Sequence, residues 1–428
     1  MKAQLTKTQY GLYVECSQHS GEACYNIPYL YVLDGSLDAE RMRRAIETAV
    51  ANHPALFTRI ELNADGEPEA SIQPSVFSLE IEEGKPDCAA LVQPFDLLKD
   101  QLFRMRLFRD AEHLYFFQDI HHIISDGTSR QILLADIEKA YNGEKLEVAG
   151  NGVEIADDGV RETDKAWYAA HFDCSDTYSP LLTDLENETP LEGKMTRQMA
   201  IEPARVEQFC KANGLYKSSF FTSVYGFLLA KYNNDTEVLF NTIYNGRNKD
   251  NVHAVGMFVK TFPVYAKFDD RTTVLEFLKN SQELISGCRE HTAYAYSDVL
   301  HDLGLQCATE FAWHGDLFAK NTFAGKPLQQ QRLNNNTREC PIYIKAFSRD
   351  GHLFVEAEYS ANSYSEALIS AFLESYEAVA QGFLNQSLLR DIELATPSQI
   401  TLLDSFNQTD LNYDTTQTTA SLSGCSWA

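Results

Sequence analysis

Positive charge is scarce in this 428-residue chain: 36 Lys and Arg stand against 61 Asp and Glu, giving a net charge of -25 and a pI near 4.8. A nucleic-acid binder needs a cationic footprint to displace counterions from phosphates, so that class is excluded, as is a general binder of anionic membranes. The nine cysteines are odd in number, scattered, and never spaced as CxxC. Neither a disulfide framework nor a zinc ribbon is indicated, and reduced, structural cysteine is expected. No run is long and apolar enough to span a bilayer, and the opening MKAQLTKTQYGLY lacks the apolar core of a signal peptide. A cytoplasmic protein without nucleic-acid or membrane partners is the expectation. Phosphate loops of the Walker type and metal-ligand spacings are also missing, so neither a nucleotide nor a metal is expected.

What is present is an ordinary globular composition, 44% apolar and 23% charged, long enough for two or three core-sized units. The most informative stretch runs from His113 to Gly143. Leu114–Ile120 is aromatic and aliphatic and reads as a strand. On a period of two, His122 shares a face with Phe116, Gln118 and Ile120, while His121 points the other way. Asp126-Gly127 supplies turn chemistry. Thr128 or Ser129 is then the expected cap of a helix with Ile132, Leu133, Ile137 and Tyr141 on its apolar face, stopped by Gly143. For the paired histidines three readings stand open. They can be structural; they can bind metal, although adjacent strand residues cannot chelate one ion without a bend; or one can act as a base, since imidazole titrates near neutrality.

HHIISDG resembles the HHxxxDG signature of the condensation domains of nonribosomal peptide synthetases, relatives of chloramphenicol acetyltransferase. Other segments agree. PFDL (Pro94–Leu97) resembles the PFDL preceding that signature. NHPALFTRIEL resembles RHExLRTxF through His53, Leu56 and Thr58, with Pro54 in place of Glu and Phe57 in place of the second Arg. TDKAWYAAHF resembles YxDFAxW through Asp164 and Trp167. VGMFVKTFPV resembles IGxFVNTxxxR through Gly256, Phe258, Val259 and Thr261, with Lys260 in place of Asn. The resemblance covers roughly residues 5–390, and ATPSQITLLDSFNQTDLNYDTTQT beyond it resembles a lead-in to an adenylation domain.

The resemblance implies an α+β fold of two chloramphenicol acetyltransferase-like lobes forming a V-shaped pseudo-dimer. Residues 1–175 would form the N-terminal lobe, 176–395 the C-terminal lobe and 396–428 the linker. It implies an amide-forming condensation of a donor acyl or peptidyl thioester with the amine of an acceptor aminoacyl thioester. No cofactor is bound; the substrates ride on phosphopantetheine arms of donor and acceptor peptidyl carrier proteins, and an adenylation domain adjoins. His122 is the expected catalytic residue, as base or as the group that orients the amine. His121, Asp126 and Gly127 support it, with the Gly127 amide available to an oxyanion. In the family an Arg at position 57 commonly pairs with the Asp of the signature; here either Arg59, on the same strand face, or an aromatic shield around Asp126 is the expected substitute. Ser129, Gly256, Phe258 and Trp313 are expected along the substrate channel. Two other readings remain: epimerisation, although EFAWHGD stands where an EGHGR-like segment would be, or a non-catalytic recruiter of a carrier or tailoring enzyme. Arg41, Arg43 and Arg44 form either a solvated helix face or a docking spot for an acidic carrier.

Overall fold

The computed structural model describes residues 2–408, except 20, 24, 74, 151, 153–160, 188–190, 318–319 and 334–340. Two six-stranded sheets, each backed by helices, divide it into two lobes. In the first sheet the strands follow the order 322–323, 326–332, 29–34, 113–120, 103–109, 81–83. His113–Ile120 lies inside it, antiparallel to both Tyr29–Asp34 and Phe103–Arg109. Its even-numbered residues, Leu114, Phe116 and Ile120, pack with Ile46 and Val50 of helix Ala39–Asn52 and with Leu133 and Ile137 of helix Gly127–Asn142. Its odd-numbered Tyr115 and Phe117 meet Leu30, Phe108 and Leu333 on the other face. Both faces are covered, which explains why the strand reads as a nearly continuous apolar run.

The second sheet runs 260–267, 237–244, 310–315, 342–349, 352–360, 192–198. Lys260–Lys267 is its edge, the position that Pro263 requires because it cannot donate to a ladder. Asp350-Gly351, both at positive φ (50° and 75°), closes the hairpin between Ile342–Arg349 and His352–Ser360. Helix Lys217–Tyr232, buried from Ser219 to Ala230, is the central element of this lobe's core, packed beside helix Glu366–Asn385. A small sheet of Lys2–Gln4, Pro68–Ile72 and Thr58–Leu62 completes the first lobe.

Several local expectations are revised. The strand at the histidine motif ends at Ile120, and His122–Ile124 is a 3-10 turn, so the alternation of faces does not extend to His122. Asp126, not Thr128 or Ser129, caps the following helix, and Gly143 stops it in the left-handed conformation. Along the chain, two short strands, Pro68–Ile72 and Ile81–Glu83, lie between the first lobe's helices. Tyr10 is exposed on helix Lys7–Gln18. The segment after Thr396 opens as a helix, Pro397–Phe406; its remainder from 409 lies outside the described residues.

The chain also crosses between lobes. Lys326–Arg332, which follows a strand of the second sheet, joins the first, with Leu328 opposite Leu33 and Arg332 opposite Tyr29. The preceding turn is held by helix Gly127–Asn142, whose Glu138 accepts the Ala324 amide at 2.6 Å and pairs with Lys320. At the far end of the strand Arg332 pairs with Glu358 (3.1 Å), which also holds buried Lys345 (2.6 Å) in the second lobe.

Candidate active site

The HHIISDG segment lies where the first lobe's central strand gives way to its longest helix. Its backbone is pinned on both sides: the His121 amide donates to Leu102 O (2.9 Å), the His122 amide to Tyr25 O (2.7 Å), and the Ser125 amide to His122 O (3.1 Å). His121 is buried, and its Nδ1 accepts the Ile123 amide at 3.1 Å, so that nitrogen carries no proton. Its Nε2 faces the Cys16 thiol at 3.6 Å. Burial, with His122 and Arg104 nearby, holds its imidazole down at about 3, and it is neutral at physiological pH. Phe95 of PFDL packs edge-on against this ring and carries the Arg104 guanidinium 3.7 Å above its own. PFDL is therefore part of the wall behind the histidine pair.

His122 differs. The residue is only partly buried, yet its Nδ1 is enclosed and has no hydrogen-bond partner among the described residues. Among the described residues no carboxylate fixes its tautomer, in contrast to the base of a catalytic triad. Behind the pair, Asp119 is fully buried; one oxygen accepts from Asn26 Nδ2 (2.7 Å) and the other has no partner. Burial pushes its carboxyl up to about 7, against the lowering influence of Asn26 and Arg104.

Asp126 closes the motif. Oδ1 accepts the Ser129 amide at 2.7 Å, capping the helix, while Oδ2 accepts Arg247 Nη1 at 2.7 Å and the Phe258 amide at 3.1 Å. The two charged side chains are 3% and 4% exposed. Arg247 also donates to Ser129 Oγ (2.8 Å), Asn245 Oδ1 (2.9 Å) and Ala254 O (3.2 Å), with its guanidinium 4.7 Å from the Phe258 ring centre. Ser129 Oγ in turn donates to Gly256 O (2.7 Å) and accepts the Gly256 amide (3.0 Å). A side chain at Gly256 would drive its Cβ to 2.1 Å from Gly152 O, so this close approach requires glycine. Ser129, Gly256 and Phe258, far apart in sequence, thus meet in one lock between the motif and the 245–258 segment. Gly127 begins the helix at ordinary φ, and a Cβ there would meet nothing within 4 Å, so its bareness keeps open space beside the motif.

Arg59 is not the partner of Asp126. Its guanidinium donates to Lys99 O (3.2 Å) and Gln101 Oε1 (3.3 Å), while Phe57, in place of the family's Arg, packs edge-on against Phe103 inside the first lobe. Sequence reasoning overlooked Arg247. Its signal was the NGR tripeptide just beyond strand Glu237–Tyr244, a cation at a strand end followed by a polar loop. Trp313 stacks on Phe221 (4.4 Å between ring centres) at the second lobe's own core, and no contact links it to the His122 turn among the described residues. Arg43 is held by Glu40 (3.0 Å) and Glu47 (2.8 Å), and Arg41 lies over Tyr141 (4.8 Å), as a self-satisfied helix face would. Among the described residues no three His, Cys, Asp or Glu side chains are placed to share a metal, and no helix is long and apolar enough to cross a membrane.

Two helix-backed lobes, a crossover strand between them and a histidine motif locked to both define a protein of the chloramphenicol acetyltransferase-like class. The sequence profile of the condensation domain matches residues 1–401, and the chain belongs to that family, with relatives among nonribosomal peptide synthetases. It is 24% identical over 448 aligned residues to bacitracin synthase 3 of Bacillus licheniformis, an alignment that takes in 96% of this chain and 7% of the synthase. The chain thus spans a small fraction of that relative's length. Among solved structures, the first condensation domain of the calcium-dependent antibiotic synthetase, in complex with a substrate analogue, superposes with a TM-score of 0.73 at 16% identity. That match covers 92% of this chain and 99% of the other. The X-domain from teicoplanin biosynthesis, in its complex with OxyB, also matches at 0.73 and 16% identity, over 92% and 96%.

Proposed function

We propose that the chain catalyses amide formation between a donor acyl or peptidyl thioester and the α-amine of an acceptor aminoacyl thioester, both carried on phosphopantetheine arms of carrier proteins. The observation that carries the reading is His122: a partly buried imidazole on a turn fixed at three backbone positions, with an enclosed Nδ1 left unpartnered. The acceptor amine has a reference pKa of about 7.7 to 8.0, so an unprotonated nucleophile is available near neutrality. His122 receives a hydrogen bond from that amine and takes its proton as the C–N bond forms. The thiolate leaves as the tetrahedral intermediate collapses, and the Gly127 amide, at the start of a sixteen-residue helix, is the candidate donor to the oxyanion. Holding both arms in register supplies much of the rate.

The test is mass spectrometry of amide product from two loaded carriers. His122→Ala is expected to lower the initial rate by about 10² to 10⁴, the usual range for general base catalysis. Equal rates in wild type and variant would remove His122 from the chemistry. The match to an X-domain seen with OxyB favours a second reading, recruitment of a tailoring partner. Carrier or partner binding with no turnover in wild type would support that reading, and deuterium exchange at the α-carbon without amide would point to epimerisation.

A further inference from the structure

A cavity of about 190 Å³ lies between helix Lys7–Gln18 of the first lobe and the second lobe's 260–262 and 292–297 segments, with Tyr168 contributing from helix Glu162–His171. The helix brings it beside the histidine motif. Gln9 Nε2 donates to Ile123 O (2.9 Å) and Cys16 lies against His121, so one stripe of the helix, two turns long, runs along the motif. Thr8, Gly11 and Leu12, spaced i, i+3 and i+4, form the neighbouring stripe and line the cavity. Leu12 also packs against the first lobe's core, at the border of the two stripes.

The chemistry of the walls is mainly apolar despite three phenols. Tyr294 donates its hydroxyl to Asp302 Oδ2 (2.6 Å), Tyr168 bonds the Cys288 thiol and Tyr296 that of Cys307. Their polar ends are occupied elsewhere, so with Phe262 and Leu12 most of the surface left for a guest is ring and aliphatic, while Thr8, Lys260, Thr261, Thr292 and Ser297 add polar groups to the wall. Lys7, at the border, is ion-paired to Asp298 of the second lobe. Gly11 is the anomaly. Glycine inside a helix costs about 1 kcal/mol relative to alanine, and a Cβ built here would meet nothing within 4 Å. Gly11 is exposed as well as lining the cavity, and the helix gives up stability at this point where it faces open space.

We propose that this cavity receives a bulky apolar side chain, aromatic or branched aliphatic, of a carrier-bound aminoacyl substrate, and that Gly11 sets its size. The proposal rests on the condensation reading, and its test separates the two. Amide product is measured with acceptor carriers bearing Ala, Leu or Phe against an acetyl donor, and with donors bearing the same three against a glycyl acceptor. In one of the two arms Gly11→Leu, which fills the cavity, lowers the Phe-to-Ala rate ratio by at least about tenfold, the discrimination expected of a shape-matched apolar pocket. Gly11→Ala gives a smaller drop in the same arm. Tyr10→Ala, on the exposed side of the same helix, leaves the ratio unchanged. Ratios within twofold of wild type in both arms for Gly11→Leu overturn the proposal, whatever its absolute rates. Should wild type form no amide at all, the condensation reading fails, and calorimetry with S-phenylalanyl and S-alanyl pantetheine decides the cavity separately. A wild-type preference for the phenylalanyl compound that Gly11→Leu abolishes supports it, and equal binding by wild type overturns it.

Discussion

Removing Arg247 should be the most damaging single change at the site outside the histidines. Its guanidinium makes four hydrogen bonds, one of them to a carboxylate that is 3% exposed. Breaking a buried ion pair by removing one partner costs about 3 to 5 kcal/mol, because the remaining charge is left without compensation. Asp126 keeps the Ser129 and Phe258 amides, two charge-assisted hydrogen bonds, so Arg247→Met should fall near the lower end, about 3 kcal/mol. Asp126→Asn keeps a cap oxygen and should cost less. In a double-mutant cycle the pair then shows a coupling of about 2 kcal/mol, well above the roughly 0.5 kcal/mol within which independent sites add. The measurement is urea denaturation of wild type, both singles and the double variant, with the amide assay run in parallel. If the proposed chemistry holds, Arg247→Met should slow product formation by at least about tenfold, because a displacement of the histidine turn by about an ångström is enough for such a loss. Arg59→Met should leave both stability and rate near wild type. A coupling below 0.5 kcal/mol, or an Arg59 variant as impaired as the Arg247 one, would refute the assignment.

Two more outcomes follow from neighbouring groups. The Asp119 carboxyl is raised from 3.8 to about 7, so the unfolded chain ionises it first and stability falls as pH rises from about 4 to 7, flattening above. Asp119→Asn should remove that slope, and urea midpoints at pH 5 and 8 that move in wild type should converge in the variant; an undiminished slope would mean that another group governs it. Gly287 touches Trp167 so closely that a Cβ would lie 2.0 Å from the indole, which stacks between His171 and His291. Gly287→Ala should therefore destabilise by about 1 to 3 kcal/mol in spite of alanine's better helix propensity, and a stabilised variant in thermal melts would contradict the packing described.

The strand, turn and helix of the motif were legible because each carries a local signal: a nearly continuous aromatic and aliphatic run, Asp-Gly, and a helical apolar face ended by Gly143. The cap was misplaced by two or three residues, since Asp, Thr and Ser are all competent caps and only the backbone at Asp126 decides among them. Arg247 was not legible as the partner because strand-face arithmetic looks along one strand, whereas the pair spans 121 positions and is set by how the two lobes meet. Lys326–Arg332 was missed for a different reason. Only Leu328 in it is well buried, so KPLQQQR carries neither periodicity; a strand held by backbone pairing on both sides leaves little trace in side chains.

That crossover strand bears on how the molecule is made. The first lobe's sheet is incomplete until residue 332 has been synthesised, and until then strand Tyr29–Asp34 presents an unpaired edge. On the ribosome the N-terminal half therefore waits for roughly two hundred further residues, at about 5 to 20 residues per second, with a template for intermolecular pairing exposed. Halves produced separately should associate with themselves or aggregate, while a permuted chain that supplies 322–332 early should fold its first lobe sooner.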